Sequence, residues 1–536
     1  MKIKILSSLS KVFADEICNE CLIEDLTALK NEYASFQIAV MSDSDAEYDV
    51  SFDEIIVNLL AQRFVPVGLA APKDRDDYFI RDAKSGDYPD VLMPFGGKLT
   101  LKKNEWTALW CIFNPEKALD AGVYDVKIRI GETEIALPCE VVNASTGEQK
   151  LACTHWFHTD CLAVHYGVEV FSEEYWNIVE NYMAGAVNHG VNMILTPLFT
   201  PPLDTKVGGE RPTVQLVDVT KHAYSKYSFG FDKLKRWIEI ADRCGVKYFE
   251  MSHLFTQWGA KHAPKIMAET SGGYKRIFGW ETNAHSMAYT NFLQQFAPEL
   301  IKFIDELGIR NRCVFHTSDE PSVKDYFHYR RSAKVMHKLF GEFKIIDALS
   351  SFVFYKNGLT KHPVPSIEHI ESFAGKVDEL WTYYCCNPFT KNLPNRFIAM
   401  PSLRNRILGF IMYKYNVKGF LQWGYNFYFT QFSKGPVDPF NQTDAGGAFS
   451  SGDAFVVYPG EDGKPLPSLR FEVFYDAIKD YEALVALEKK IGREKVICLL
   501  EAGLEKPLSA ENYPKDEKWL ISKRNEINRL LAEQVK

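Results

Sequence analysis

The residues best suited to chemistry are two adjacent carboxylates, Asp319 and Glu320, in the segment RCVFHTSDEP. The chain has six Asp-Glu dipeptides, so the dipeptide alone carries little information, and a solvated surface pair is its ordinary interpretation. This pair differs because it follows the apolar run 313–315 and precedes Pro321, which favours an extended backbone at Glu320. When two carboxyl groups share a cavity, their pKa values are driven apart, and one is protonated while the other is ionised. That combination suits hydrolysis of a glycosidic bond.

Aromatic side chains make up 14% of the chain, and many of them closely follow predicted strands. A binding pocket for a small molecule is typically lined by such side chains, with a few polar groups that fix orientation. Each residue taken alone is better explained by core packing, but together they indicate a carbohydrate site at one end of the fold. The candidate substrate-binding residues are His158, His253, Trp381, Tyr383, Tyr384, Trp423, Tyr425 and Asp453.

Charge and motifs argue against several other classes of function. The net charge of −8 provides no basic surface for a nucleic acid, and no apolar run is long enough to span a bilayer. The sequence has no phosphate-binding loop, GxGxxG, HExxH, paired CxxC or GxSxG motif in a suitable context. We therefore expect no cofactor, no metal, no nucleic-acid partner and no membrane span. The 11 cysteines are scattered and no leader is recognisable, so we expect free thiols and a cytoplasmic location.

Short apolar runs alternate with amphipathic segments from residue 151 onward, and this pattern predicts the scaffold that positions the candidate residues. We count eight strands, each followed by a helix except the seventh, which indicates an α/β chain with a (β/α)₈ barrel. An open, doubly wound sheet is the alternative. In a barrel, catalytic residues gather at the C-terminal ends of the strands, and the acid pair follows the fourth. The predicted strands are 152–158, 191–196, 246–252, 312–318, 343–349, 378–383, 419–423 and 453–458.

Three domains are predicted along the chain. Short strands separated by turns fill residues 1–147 and predict an N-terminal β-sandwich. The catalytic barrel is assigned to 151–490, and a short C-terminal helical tail to 491–536. Long segments after three of the strands are expected to surround the active face of the barrel.

Five segments that include the acid pair resemble, in combination, glycoside hydrolase family 123, a family of retaining, exo-acting β-N-acetylgalactosaminidases. Residues 7–13 and 32–40 are similar to the family's β-domain, so the resemblance covers nearly the whole chain. It implies an oligosaccharide or glycoconjugate substrate ending in β-GalNAc. The segments are THWFHTDCLA (154–163), FHTSDEP (315–321), GFLQWGYNFY (419–428), GDAFVVYPG (452–460) and SLRFEVFYDAIKDYEAL (468–484).

The resemblance also implies a substrate-assisted mechanism, which is an exception to the usual two-carboxylate scheme. Asp319 would orient and stabilise the 2-acetamido group of the sugar. The carbonyl oxygen of that group would attack C1 and form an oxazoline-type intermediate. Glu320 would protonate the leaving oxygen and then activate water.

Other roles implied by the resemblance are less specific. Tyr383 or Tyr384 would donate a hydrogen bond to the acetamide carbonyl, Trp423 would form the floor of the subsite, and His253 or Asp453 would hold sugar hydroxyls. No residue is matched to the axial O4 of a galacto-sugar. Two alternatives stay open: a non-catalytic glycan-binding protein on the same scaffold, and a glycosidase for another β-linked sugar. The oligomeric state is also open.

Overall fold

The computed structural model describes residues 1–533. Its first part is a sandwich of two five-stranded sheets. Facing apolar side chains of the two sheets, such as Ile38 and Ile128, share one buried core. The strands are β1 (Lys2–Ser7), β2 (Leu26–Leu29), β3 (Ala34–Met41), β4 (Ala46–Phe52), β5 (Val57–Val67), β6 (Gly86–Pro94), β7 (Lys98–Leu101), β8 (Trp106–Phe113), β9 (Gly122–Ile130) and β10 (Thr133–Val142). The order is β1-β3-β8-β5-β6 in one sheet and β2-β10-β9-β4-β7 in the other.

The hairpin of β9 and β10 shows how the sequence pattern produces this sandwich. Val126, Ile128 and Ile130 alternate along β9 and are buried, while the basic residues between them face solvent. Ile130 pairs with Thr133 across the turn, where Gly131 has a φ of 58°. Glycine adopts this left-handed conformation without the steric cost of a side chain.

The second part is a nearly closed barrel of eight parallel strands, which confirms the predicted fold class. The strands are β11 (Ala152–His155), β12 (Met193–Thr196), β13 (Tyr248–Met251), β14 (Cys313–Phe315), β15 (Lys344–Ala348), β16 (His362–Val364), β17 (Trp381–Tyr383) and β18 (Gly419–Gln422). Their order is β16-β15-β14-β13-β12-β11-β18-β17. Between β16 and β17 the ring is closed by one bridge from Ser366 to Tyr383, supported by the Tyr383 N–H bond to the Pro365 carbonyl at 3.1 Å.

Two of the predicted strand assignments are wrong, although the count of eight is right. The sixth strand, β16, was not predicted, because it has only three residues and one of them is Pro363. Residues 453–458 were predicted as the eighth strand but lie outside the barrel. Val457–Pro459 instead pairs with Pro465–Pro467 in a small antiparallel hairpin. The strands predicted as sixth and seventh are therefore the seventh and eighth.

The helices connect the barrel strands and form the C-terminal tail, whose last three predicted residues, 534–536, lie outside the described part. They are α1 (Thr159–Tyr166), α2 (Glu173–Asn188), α3 (Asp232–Cys244), α4 (Met287–Glu306), α5 (Tyr326–Phe340), α6 (Phe352–Lys356), α7 (Ile370–Phe373), α8 (Ser402–Arg406), α9 (Leu408–Lys414), α10 (Leu469–Ile491), α11 (Arg493–Glu501) and α12 (Glu517–Ala532). Short 3₁₀ segments are Ile80–Ala83, Ala223–Ser225, Arg310–Arg312, Val323–Asp325, Ile367–His369 and Gln431–Ser433. Within residues 1–533, no helix is both long and apolar enough to cross a membrane.

Additional strands decorate the loops. The long loops after β12 and β13 together form a four-stranded sheet outside the barrel, from Asp218–Lys221, Tyr227–Gly230, Ile266–Thr270 and Gly273–Phe278. A two-stranded ribbon in the sandwich pairs Lys11–Val12 with Ile17–Cys18.

Helix α10 joins the sandwich, the barrel and the tail through buried ion pairs. Near its start, Arg470 donates from two nitrogens to both oxygens of Asp90 in β6, each at 2.8 Å. Near its middle, Asp480 accepts from Arg406 of the barrel and from Arg524 of the tail. All of these side chains are almost inaccessible to solvent. The predicted domain limits at 147 and 490 stay predictions.

Candidate active site

A cavity of about 240 Å³ lies at the C-terminal ends of the barrel strands. Its wall combines residues that end strands or follow them directly with residues of the long loops after β12, β13, β17 and β18. It contains both residues of the acid pair. The lining residues are Trp156, Leu203, Asp204, Gln257, Trp258, Asp319, Glu320, Ala348, Tyr383, Cys385, Cys386, Leu421, Trp423, Gln431, Phe432 and Phe449.

The backbone that carries Asp319 is held from two sides. Asp347, near the end of β15, accepts the N–H groups of Thr317 and Ser318 with one carboxylate oxygen, at 2.7 and 3.0 Å. Asp347 is fully buried, and burial raises its pKa. On the other side, the backbone N–H of Trp258 donates to the backbone carbonyl oxygen of Asp319 at 2.9 Å. These bonds fix the turn between β14 and the acid pair.

Glu320 occupies a strained position in this turn. Its φ is 42°, in the left-handed region, although the sequence predicted an extended backbone before Pro321. The strain is offset by the Glu320 N–H bond to the Ala348 carbonyl at 3.0 Å. The carboxylate is exposed to the cavity and accepts from the Tyr383 hydroxyl at 2.6 Å. Such strained residues are common at active sites, where the surroundings over-determine the conformation.

The electrostatics of the pair raise the pKa of Asp319. Burial raises the pKa of Asp319 well above its usual range, and the negative charge of Glu320 raises it further. More distant carboxylates act in the same direction, namely Asp347, Asp204 and Glu250. Two neighbouring carboxyl groups cannot both ionise freely, so the pair holds a proton well above the pH at which an isolated carboxyl loses it.

One aromatic wall of the cavity is Trp156, which follows β11. Its indole N–H donates to Glu250 at 2.8 Å. Glu250 is fully buried and also accepts from Thr154 and, at 2.6 Å, from His316. The hydrogen bonds lock the indole plane, because each donor occupies one direction around the carboxylate. Glu250 therefore positions an aromatic wall of the site.

A second aromatic wall is Trp423, which follows β18 directly. Its indole N–H donates to Asp453 at 3.1 Å, and the Gln422 amide donates to the other Asp453 oxygen at 3.3 Å. Asp453 is fully buried, and burial raises its pKa to about 7. Asp453 was predicted to hold sugar hydroxyls, but it lies behind Trp423 and does not line the cavity.

Trp381 was predicted to contact substrate, and the structure places it at the opposite end of the barrel. It is the first residue of β17 and pairs with Gly419, the first residue of β18. Its indole packs directly on that glycine, where an added Cβ would approach the ring to 2.2 Å. Tyr383, two residues later on the same strand, reaches the cavity.

The two candidate histidines are buried and do not line the cavity. The His158 ring donates to the Trp423 carbonyl at 2.8 Å and accepts from Arg211 at 3.1 Å. Burial, and then the Arg211 charge, lower the pKa of His158 to about 3, so it is neutral. His253 stacks on His316 at 4.3 Å, and burial holds its pKa well below the usual value. Both support residues that surround the site.

Two candidate tyrosines pack in the protein interior instead of the cavity. The Tyr384 hydroxyl donates to Asn405 at 3.3 Å, and the Tyr425 hydroxyl donates to the Tyr182 carbonyl at 3.0 Å. Of the eight predicted substrate-binding residues, the structure brings Tyr383 and Trp423 to the acid pair. Within residues 1–533, no group of three or more potential ligands is arranged to hold a metal ion.

Part of the site comes from long loops and was not predicted from the sequence. Asp204 lines the cavity as a third carboxylate, and burial raises its pKa to about 6. It accepts the Phe432 N–H at 3.0 Å, and its own N–H donates to Gln257 at 2.7 Å. The Trp258 and Phe432 rings, which both line the cavity, meet edge to face at 5.8 Å. The only signal in the sequence was that these loops are unusually long.

Comparisons with known proteins agree with this fold. A family model for the catalytic domain of glycoside hydrolase 123 matches residues 156–487. Among solved structures, a family 123 glycoside hydrolase from Clostridium perfringens, described for glycolipid glycan hydrolysis, superposes with a TM-score of 0.73 at 15% identity. The match covers 99% of this chain and 97% of that one. A beta-glucuronidase from an uncultured Clostridium sp. has a TM-score of 0.33 at 8% identity, covering 84% and 88%, which is too low to support an inference. A search of curated protein sequences found no match.

Proposed function

The chain belongs to glycoside hydrolase family 123, and on that premise we propose that it is a retaining exo-β-N-acetylgalactosaminidase. Its substrate would be an oligosaccharide or glycoconjugate with a terminal β-GalNAc. The observation that carries the proposal is the placement of Asp319 and Glu320, consecutive in sequence, in one aromatic-walled cavity at the active end of the barrel. A cytoplasmic location is part of the proposal and is supported by the free state of all 11 thiols.

The adjacency of the two carboxylates favours a nucleophile from the substrate. In retaining enzymes with two carboxylates, acid and nucleophile stand about 5–5.5 Å apart on either side of the scissile bond. Here both groups come from one turn, so the acetamido oxygen of the sugar would attack C1 instead. Glu250 and Asp453, the next carboxylates to consider as nucleophiles, are fully buried and hydrogen-bonded behind the walls. Asp204 is the remaining carboxylate that lines the cavity.

The proton of the pair has to change position during the reaction. Before substrate binds, burial and the neighbouring negative charge would favour a proton on Asp319, whose pKa they raise. The acetamide N–H of the substrate would then donate to Asp319 and stabilise its ionised form. The proton would pass to Glu320, which would deliver it to the leaving oxygen. Tyr383 would position Glu320 throughout, instead of binding the acetamide carbonyl as the sequence suggested.

Transition-state stabilisation would come from Asp319 and from the two indole walls. As the acetamido oxygen attacks, positive charge develops on the sugar ring and on the oxazoline-type ring. An ionised Asp319 beside that charge acts in a cavity of low polarity, where such interactions are strong. Trp156 and Trp423 would pack on the sugar, and Asp204 would accept hydrogen bonds from its hydroxyls. Because residues of the long loops line a cavity of only about 240 Å³, we assign exo action on a terminal sugar.

A panel of nitrophenyl β-glycosides tests the substrate. We expect the GalNAc substrate to be cleaved faster than the GlcNAc, galactose and glucose counterparts, in the presence or absence of EDTA. Equal or faster cleavage of the plain galactoside would reject the acetamido-dependent mechanism and favour a glycosidase for another sugar. Saturable binding of GalNAc with no turnover of any substrate would favour the non-catalytic alternative.

A fluoroacetyl series tests the nucleophile. Fluorine withdraws electrons from the acetamido oxygen, so the rate should fall stepwise from acetyl to mono-, di- and trifluoroacetyl substrates. A thiazoline that mimics the bicyclic intermediate should inhibit strongly, because the cavity would be complementary to the developing charge. A flat response across the series would point to an enzyme nucleophile. Asp204→Asn would then be the first variant to measure.

A further inference from the structure

Two adjacent thiols in the cavity wall have no role in the proposed mechanism. Cys385 and Cys386 follow β17, and both line the cavity. Their sulfur atoms are 3.9 Å apart. The Cys385 sulfur also lies 4.0 Å from a Glu320 carboxylate oxygen. The cavity therefore presents two soft ligands side by side, next to the proposed catalytic acid.

The loop that presents these thiols is fixed by hydrogen bonds. Asn395, which is fully buried, donates from its amide to the carbonyl oxygens of Cys385 and Pro388, at 2.9 and 3.0 Å. The Cys385 N–H donates to the Asn387 carbonyl at 2.8 Å. Little conformational entropy would be lost when both sulfur atoms bind one ligand atom, because the backbone is already ordered.

We propose that Cys385 and Cys386 form a bidentate site for trivalent arsenicals, and that its occupancy blocks the catalytic cavity. Thiolate sulfur is a soft ligand, and it prefers soft acceptors. For an organic arsenoxide, each sulfur forms one As–S bond while the As=O bond breaks. The two thiol protons leave with the oxygen as water, and no atom changes oxidation state. A Glu320 carboxylate oxygen lies 4.0 Å from the Cys385 sulfur. It can accept the thiol proton before that proton is transferred to the departing oxygen.

The local charges favour chelation over reaction with a single thiol. The hydrogen bond with Cys386, burial, and the charge of Glu320 together raise the pKa of Cys385 well above its usual range. A protonated thiol is a poor nucleophile, so one-site alkylation of this cysteine should be slow at neutral pH. A two-site ligand gains from the second sulfur, whose effective concentration is high once the first bond has formed.

The chain provides internal controls. Cys18 and Cys21 form a CxxC pair in the sandwich, far from the catalytic barrel in sequence, and burial raises the pKa of Cys18 to about 12. Cys498 on α11 is exposed and single. Cys18→Ser tests the other closely spaced pair, and Cys498→Ser tests reaction with an accessible lone thiol.

The experiment treats the full chain with phenylarsine oxide and measures intact mass and binding by titration. We expect one adduct per chain, assigned by peptide mapping to the segment with Cys385 and Cys386, and reversed by 2,3-dimercaptopropanol but not by a monothiol. Cys385→Ser or Cys386→Ser should weaken binding on the order of 10²-fold, because the chelate advantage is lost. The Cys18→Ser and Cys498→Ser variants should bind as the unmodified chain does.

Two results would overturn the proposal. One is an adduct that maps in the unmodified chain to cysteines other than this pair, which requires no variant to fold. The other is unchanged affinity in both cavity variants. Mass and mapping do not depend on turnover, so they stand even if the glycosidase assays fail. Where GalNAc glycosides are cleaved, stoichiometric adduct formation should abolish cleavage, and full residual activity of the adduct would disprove the blocking part.

Discussion

Replacement of Asp453 by asparagine is expected to change the pH dependence of stability in a defined direction. Burial raises the pKa of Asp453 from 3.8 to about 7 in the folded chain. The folded state therefore binds the proton more tightly than the unfolded state, so this group destabilises the protein as the pH rises from about 4 to about 7. At 1.36 kcal/mol per unit, a shift of about three units amounts to roughly 4 kcal/mol of lost stability above pH 7.

The variant removes this penalty and keeps an oxygen that can accept the Trp423 indole N–H. Asparagine does not titrate. About two of the three pKa units of destabilisation develop between pH 5 and pH 8, so over this range Asp453→Asn should gain roughly 2.5 kcal/mol of stability relative to the unmodified chain. The free energy of unfolding in urea, measured at both pH values, gives this difference directly. Asp43→Asn, at an exposed position, is the matched control and should show no such gain.

A parallel pH dependence in Asp453→Asn and in the unmodified chain would refute this reasoning. It would mean that Asp453 does not titrate between pH 5 and pH 8 in the folded protein. The buried hydrogen bonds from Trp423 and Gln422 would then hold a carboxylate that is ionised at every pH tested, and the second aromatic wall would have a permanently charged support.

Three further predictions concern the acid pair and its scaffold. Glu320→Gln should lower kcat by roughly 10²- to 10⁴-fold, and less for substrates with good leaving groups, whereas the loss in Asp319→Asn should not depend on the leaving group; the same dependence in both would contradict the assigned roles. Tyr383→Phe removes a 2.6 Å hydrogen bond to the Glu320 carboxylate, worth roughly 1.5–3 kcal/mol, so kcat should fall about 10- to 100-fold with KM nearly unchanged. A change confined to KM would show that Tyr383 binds substrate instead. Asp90→Asn leaves the buried Arg470 without an anion and should lower the free energy of unfolding in urea by roughly 3–5 kcal/mol, and unchanged stability would show that the pair is dispensable.

The barrel was predictable because strand and helix periodicities alternate strongly over its length. The individual strands were less predictable, since each of the eight has only three to five residues. β16, with Pro363 in its centre, has no strand pattern of its own and is defined by its pairing with β15. Residues 453–458 have the opposite character: apart from Asp453 they are apolar or aromatic, and all six are buried. Burial against the sandwich and α10 produces the same sequence pattern as a barrel strand.

The site was predictable where a residue lies within a few positions of a strand end, as for Asp319, Glu320 and Trp423. Trp381 and Tyr383 share one face of β17, yet two residues of extended chain, about 6.6 Å, separate the bottom of the barrel from its active end. Sequence cannot resolve that distance when the strand boundaries are uncertain. Loop residues such as Asp204 follow no periodicity, and their place in the cavity depends on tertiary contacts.

The bond between Arg470 and Asp90 also restricts how such a chain can be rearranged in evolution. The matched catalytic region, residues 156–487, includes the arginine but not its partner, which belongs to the N-terminal sandwich. A catalytic barrel transferred to another protein without the sandwich would carry a buried cation with no counterion. Recombination can therefore separate the two modules only if the arginine is lost at the same time or if the new neighbour supplies an anion in the same place. The sandwich and the barrel are thus constrained to be inherited together.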